Sequence, residues 1–167
     1  MSFWKENTSN PTRKFRFKIL GTAGKNDDWY WAKSVDKPSY EINSQEYLLI
    51  NHKFKYPGVL TWSDITITMV DFGISVVEEL NEYLKNHKYE APNVAITGIE
   101  KRGYDGNNRI LEIQQLDSSG VAIERWKLHN SFIKSVKYGD LAYESDDLVQ
   151  IDLTISFDYA TFEKNSN

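Results

Sequence analysis

The stretch Leu148-Val149-Gln150-Ile151-Asp152-Leu153-Thr154-Ile155-Ser156-Phe157-Asp158-Tyr159 alternates almost without a break. From 149 the odd positions are apolar and from 150 the even positions are polar. An extended chain sends the first set to a core and the second toward water, whereas a helix would scatter both around its circumference. The stretch therefore predicts a long half-buried strand of an antiparallel sheet. At roughly 3.3 Å per residue it spans on the order of 35 Å, long for a small sheet.

Other segments repeat the pattern. Leu60 to Val70 sets Ile65, Ile67 and Met69 against Asp64, Thr66 and Thr68. Lys14 to Ile19 sets Phe15, Phe17 and Ile19 against three cations, with Pro11 stopping any helix upstream. Trp29 to Val35 reads as a strand from its aromatic and β-branched content. Two further strands, Arg109 to Leu116 and Val121 to Leu128, flank the turn-forming Asp117-Ser118-Ser119-Gly120. One helix is expected at about 73–88, where Ile74, Val77, Leu80 and Leu84 form an apolar stripe. The segment Tyr40 to Tyr56 reads as a long hairpin over 38–57, with a polar Asn43-Ser44-Gln45 turn and Pro57-Gly58 closing it. The sum is a mainly β (α+β) chain: an antiparallel β-sandwich or partly closed barrel of seven or eight strands, with one flanking helix and a protruding β-hairpin. Residues 1–12 read as a flexible arm, 13–160 as a single domain and 161–167 as a C-terminal tail.

Composition narrows the function. The 167 residues suit one domain, and 40% hydrophobic with 14% aromatic residues supply a core. A net charge of −4 offers no broad basic footprint for duplex DNA. With no Cys, thiol catalysis, iron–sulfur clusters and Cys-type zinc sites are excluded. His52, His87 and His129 fall in separate elements without metal-ligand spacing, and no cofactor is implied. No nucleophile elbow, phosphate loop or dinucleotide fingerprint occurs, and Asp27-Asp28, Glu78-Glu79 and Asp146-Asp147 read as solvated charge rather than acid–base pairs. The chain is expected not to be an enzyme. No apolar run approaches a membrane span, and the N-terminus lacks a signal core, so no membrane insertion is expected.

Two surfaces stand out instead. The hairpin carries Tyr40, Ile42, Tyr47, Leu48, Leu49, Ile50, Phe54 and Tyr56, more apolar surface than an isolated arm can hide, and is expected to be a subunit contact. The even positions Gln150, Asp152, Thr154, Ser156 and Asp158 make one unbroken polar face, turned to water or a water-filled channel. The cations Lys14, Arg16 and Lys18 would neutralise Asp152 and Asp158 if the first and last strands paired.

Several segments together resemble the tail tube proteins of contractile-tailed bacteriophages: Tyr56-Pro57-Gly58-Val59-Leu60-Thr61-Trp62-Ser63-Asp64-Ile65-Thr66-Ile67-Thr68-Met69-Val70-Asp71 before a helix, Phe3-Trp4 with Pro11-x-Arg13-Lys14-Phe15-Arg16-Phe17 at the start, and the long strand ending in Asp158-Tyr159. The resemblance covers most of the chain. It implies a self-assembling structural virion protein: hexameric rings stacked into a tube, around a channel that DNA traverses. The implied partners are further copies of the chain, the sheath, tape-measure and baseplate proteins, and DNA in transient, non-specific passage. The implied location is the virion tail, assembled in the host bacterial cytoplasm. On this resemblance the hairpin becomes the contact between subunits or rings, and Gln150 to Asp158 become lumen candidates. A paralogous tube initiator, baseplate protein, terminator or phage-derived injection tube shares the same features. The reading from another class is a monomeric barrel binding a carbohydrate or small ligand, with Trp29, Trp31, Trp62 or Trp126 lining its pocket.

Overall fold

The computed structural model describes residues 12–21, 29, 32–71, 74–86 and 111–164. The expected arm, apart from Thr12, lies outside these residues, as do Trp31, His87 and the Gly103–Asn108 loop.

The alternating segments become strands of two four-stranded antiparallel sheets. The first runs β2 (Ala32–Val35), β5 (Ile65–Val70), β9 (Gln150–Ser156), β8 (Phe132–Lys137). The second runs β1 (Phe17–Gly21), β6 (Leu111–Leu116), β7 (Ala122–His129), β10 (Tyr159–Lys164). A two-stranded hairpin, β3 (Tyr40–Leu49) and β4 (His52–Trp62), stands apart from both sheets, and the helix α1 spans Ile74–Asn86. Among the described residues the architecture is a sandwich of antiparallel sheets, with no closed barrel.

Each sheet contributes inward rows to the core. Val35, Ile67, Leu153 and Val136 are cross-strand neighbours in the first sheet, and Ile19, Ile113 and Trp126 in the second, where the exposed Phe162 packs on Trp126 from the edge strand (centroids 5.0 Å). Ile67, Leu128, Ile151 and Leu153 are fully buried, each contributing about 1.5–3 kcal/mol of transfer free energy. From α1, Leu80 enters this core and Val77 packs against it, as the expected stripe requires, Leu84 is half-buried, and Val76, outside that stripe, is buried as well. The Tyr83 hydroxyl accepts a hydrogen bond from the Ile133 amide (3.2 Å), fixing the helix on the β8 edge.

Several boundaries differ from the sequence reading. The long last strand is two: β9 ends at Ser156, the chain turns at Phe157-Asp158, and β10 continues in the opposite sheet to Lys164, past the domain end expected at 160. Phe157 stays inward, against Trp62 (centroids 5.9 Å), so in-and-out alternation persists through the corner. Leu60–Val70 is likewise divided at Ser63-Asp64 between the hairpin and the first sheet. At the N-terminal end the strand begins only at Phe17; Phe15 lies in a turn and is 73% exposed, contrary to its expected place beside Phe17 and Ile19.

Candidate assembly interface

The hairpin turns at Ile50-Asn51, with Leu49 paired to His52, and not at Asn43-Ser44-Gln45. Nor does Pro57-Gly58 close it; both residues lie within β4. Ile42 pairs with Leu60 and Ser44 with Pro57, so Gly58 and Val59 together oppose the single residue Asn43. This is a β-bulge, the setting that admits a proline and a glycine inside a strand.

The bulge has a consequence for the surface. Strand β3 alternates without interruption, and its register places Tyr40, Ile42, Leu60 and Trp62 on one face near the base. Nearer the tip, Tyr47, Leu49, Phe54 and Tyr56 lie on the opposite face. The base patch is anchored by an edge-to-face Tyr40–Trp62 contact at 5.3 Å, and the tip patch carries an edge-to-face His52–Phe54 contact at 4.8 Å. Behind the tip patch, Glu46 pairs with Lys53 (3.2 Å) and Lys55 (3.8 Å) beside Leu48. Every residue of the hairpin except Trp62 is exposed, and Ile50 at the tip is 87% exposed with a positive φ of 56°, a strained conformation for a β-branched side chain. All eight hairpin residues singled out from the sequence are thus brought together, divided between two faces and the tip. Val59 and Leu60, not among them, extend the exposed surface; the only sequence signal of the bulge beside them is Gly58 inside the strand.

The second expected surface is the outward face of the first sheet. Gln150, Asp152, Thr154 and Ser156 line it from β9, half-buried, while Asp158 lies beyond the strand in the corner, accepting a hydrogen bond from Asn130 Nδ2 (2.7 Å). Register adds Ser34, Thr66 and Thr68 on one side and Ser135 and Lys137 on the other. Asp152 accepts a hydrogen bond from Thr68 Oγ1 (2.8 Å) and stands opposite Lys137. At the end of the face Asp64 pairs with Lys134 (2.6 Å); hydrogen bonds from Lys134 and Ser156 hold its carboxyl below the usual carboxylate range. The face is rich in hydroxyls, with cations set beside its acids. β1 and β9 do not pair: β1 lies in the other sheet beside β6, so Lys14, Arg16 and Lys18 are not the cross-strand partners of Asp152.

The outer face of the second sheet is polar as well. Lys127 pairs with Glu163 across strands (2.7 Å), lowering the Glu163 pKa, and His129 stacks on Tyr159 at 4.4 Å. Of the tryptophans expected to line a pocket, Trp29, Trp62 and Trp126 pack against the core.

No family model matches the sequence, and no curated protein matches it. Solved structures match the fold over nearly the whole chain. The cap of the anti-feeding prophage, a tube-terminating cap, superposes with a TM-score of 0.71 at 16% identity, covering 99% of this chain and 100% of its own. A chain of the anti-feeding prophage baseplate gives 0.70 at 10% identity over 93% and 97%. A chain of the sheath–tube complex of the extracellular contractile injection system PVC gives 0.67 at 18% identity over 95% of both chains.

Proposed function

We propose that this chain, which has the tail tube fold, is a self-assembling structural subunit of a phage or phage-derived tail, without catalysis. The observation that carries the reading is the hairpin: two strands of apolar and aromatic side chains that, apart from Trp62 at the base, stay exposed among the described residues. Isolated hairpins are at best marginally stable in water, so this one is completed by a neighbouring copy.

In this reading copies close into rings, hexameric in number, and rings stack into a tube within the virion tail, assembled in the host cytoplasm. The hairpin covers its neighbours. The hydroxyl-rich face of Gln150, Asp152, Thr154 and Ser156 borders the channel. Its matched charges suit passage of DNA, because a wall without surplus cations gains nothing from releasing phosphate counterions and does not hold the strand. Sheath, tape-measure and baseplate proteins are the expected partners.

A second reading, a capping or tube-initiating subunit, is favoured by the likeness to a terminating cap and a baseplate chain, which equals the likeness to a tube complex. Negative-stain electron microscopy over a concentration series, with light scattering, tests both. Tubes that lengthen with concentration support the repeating subunit, single rings that stop there support the cap or initiator, and a monomer at every concentration overturns the assembly reading.

A further inference from the structure

The connection between β8 and β9, residues 138–149, leaves the first sheet and returns to it at one point. Gly139 sits at φ 83°, where a side chain would lie 2.5 Å from the Gln150 carbonyl oxygen, and the Asp71 amide donates to the Val149 carbonyl at 2.9 Å. Compact loops with pinned ends ordinarily pack their own side chains inside. This one does not: every residue from 138 to 148 is exposed, Leu141 at 88% and Tyr143 and Leu148 among them.

The loop is also of one sign. It holds Asp140, Glu144, Asp146 and Asp147 and no Lys or Arg. Asp140 reaches Lys137 only at 4.0 Å, and among the described residues Glu144, Asp146 and Asp147 have no cationic partner. A like loop from another copy would be repelled.

The matching surface precedes β1. Arg13, Lys14 and Phe15 are exposed, and the Arg16 guanidinium lies over the Phe15 ring at 5.3 Å. Among the described residues no carboxylate pairs with Arg13, Lys14 or Arg16. Both segments set exposed apolar groups among charges, and the charges are opposite in sign.

We propose that the acidic loop 138–148 of one copy docks on the Arg13–Arg16 segment of a second copy. The inference rests on the self-assembly reading and adds a contact separate from the hairpin. Complementary charge of this kind steers encounter and fixes register, while the exposed Leu141, Tyr143 and Phe15 supply area to bury.

The test reverses each side. One variant carries Glu144→Lys, Asp146→Lys and Asp147→Lys; the other carries Arg13→Glu, Lys14→Glu and Arg16→Glu. Both sets lie outside the core, and circular dichroism checks that each variant folds. Each variant alone is expected to need at least about tenfold more protein to assemble, read by sedimentation, and an equal mixture is expected to assemble again. Wild-type assembly with unaffected variants, or folded variants whose mixture does not recover, overturns this contact and leaves the hairpin reading standing. A wild-type chain that stays monomeric overturns both.

Discussion

Gly58 faces the Asn43 carbonyl so closely that a β-carbon on Gly58 would sit 2.8 Å from its oxygen. The contact is backbone against side chain, so it cannot be relieved by a rotamer change. Gly58→Ala is expected to shift the bulge and turn the tip patch relative to the base patch. Because the hairpin lies outside the core, thermal unfolding should move little, while the concentration needed for assembly rises by about tenfold, equivalent to 1.4 kcal/mol per contact. Sedimentation against concentration, beside a melting curve, separates the two effects.

The tip patch gives a second prediction. Leu49 is exposed, so Leu49→Asp should change stability by no more than about 0.5 kcal/mol. Buried at a contact, the same charge would be desolvated without a partner. A folded protein that no longer polymerises is expected; unchanged assembly would remove Leu49 from the interface.

Leu60→Asp probes the opposite face, beside Tyr40 and Trp62. If the two patches meet different neighbours, Leu49→Asp and Leu60→Asp should stop assembly at different stages, visible in micrographs as different end products. Identical particles from both would mean that one partner surface serves both faces.

Core truncation behaves differently. Leu153 is fully buried between Ile67 and Val136, and Leu153→Ala should cost about 2–5 kcal/mol, read as a fall in denaturation midpoint with the slope unchanged.

The Asp64–Lys134 pair predicts a pH response. The folded carboxyl is held below its usual value of about 3.9, so its contribution is complete above that pH and is lost as pH falls through the folded value. Lys134→Met should raise the Asp64 titration midpoint in NMR and flatten the acid limb of stability. The pair is partly exposed, so the change in free energy is small.

Much of the sandwich is legible in the sequence because a period of two is hard to imitate: Ile151, Leu153 and Ile155 are buried as their spacing requires. The corner at Phe157-Asp158 is not, since both residues keep the inward and outward order across the change of sheet. The hairpin turn is hidden for the opposite reason. Ile50 at positive φ contradicts turn chemistry, while Asn43 and Pro57-Gly58, which look like turns, meet across the strands and make the bulge. The apolar character of the arm is plain in Leu48-Leu49-Ile50, but its division between two faces depends on an inserted residue that composition does not reveal.

The corner at Asp158 does not stand alone. The chain also crosses between sheets at Asn130-Ser131, from β7 to β8, and the crossings are tied together: the Asp158 amide donates to the His129 carbonyl (3.1 Å) and Asn130 Nδ2 donates to the Asp158 carboxylate. Two layers joined only by apolar contact can slide over one another, because such contact is indifferent to small lateral displacements. Here a seam of two covalent crossings, stitched by directional bonds, resists that shear, so a load applied to one layer is borne by both.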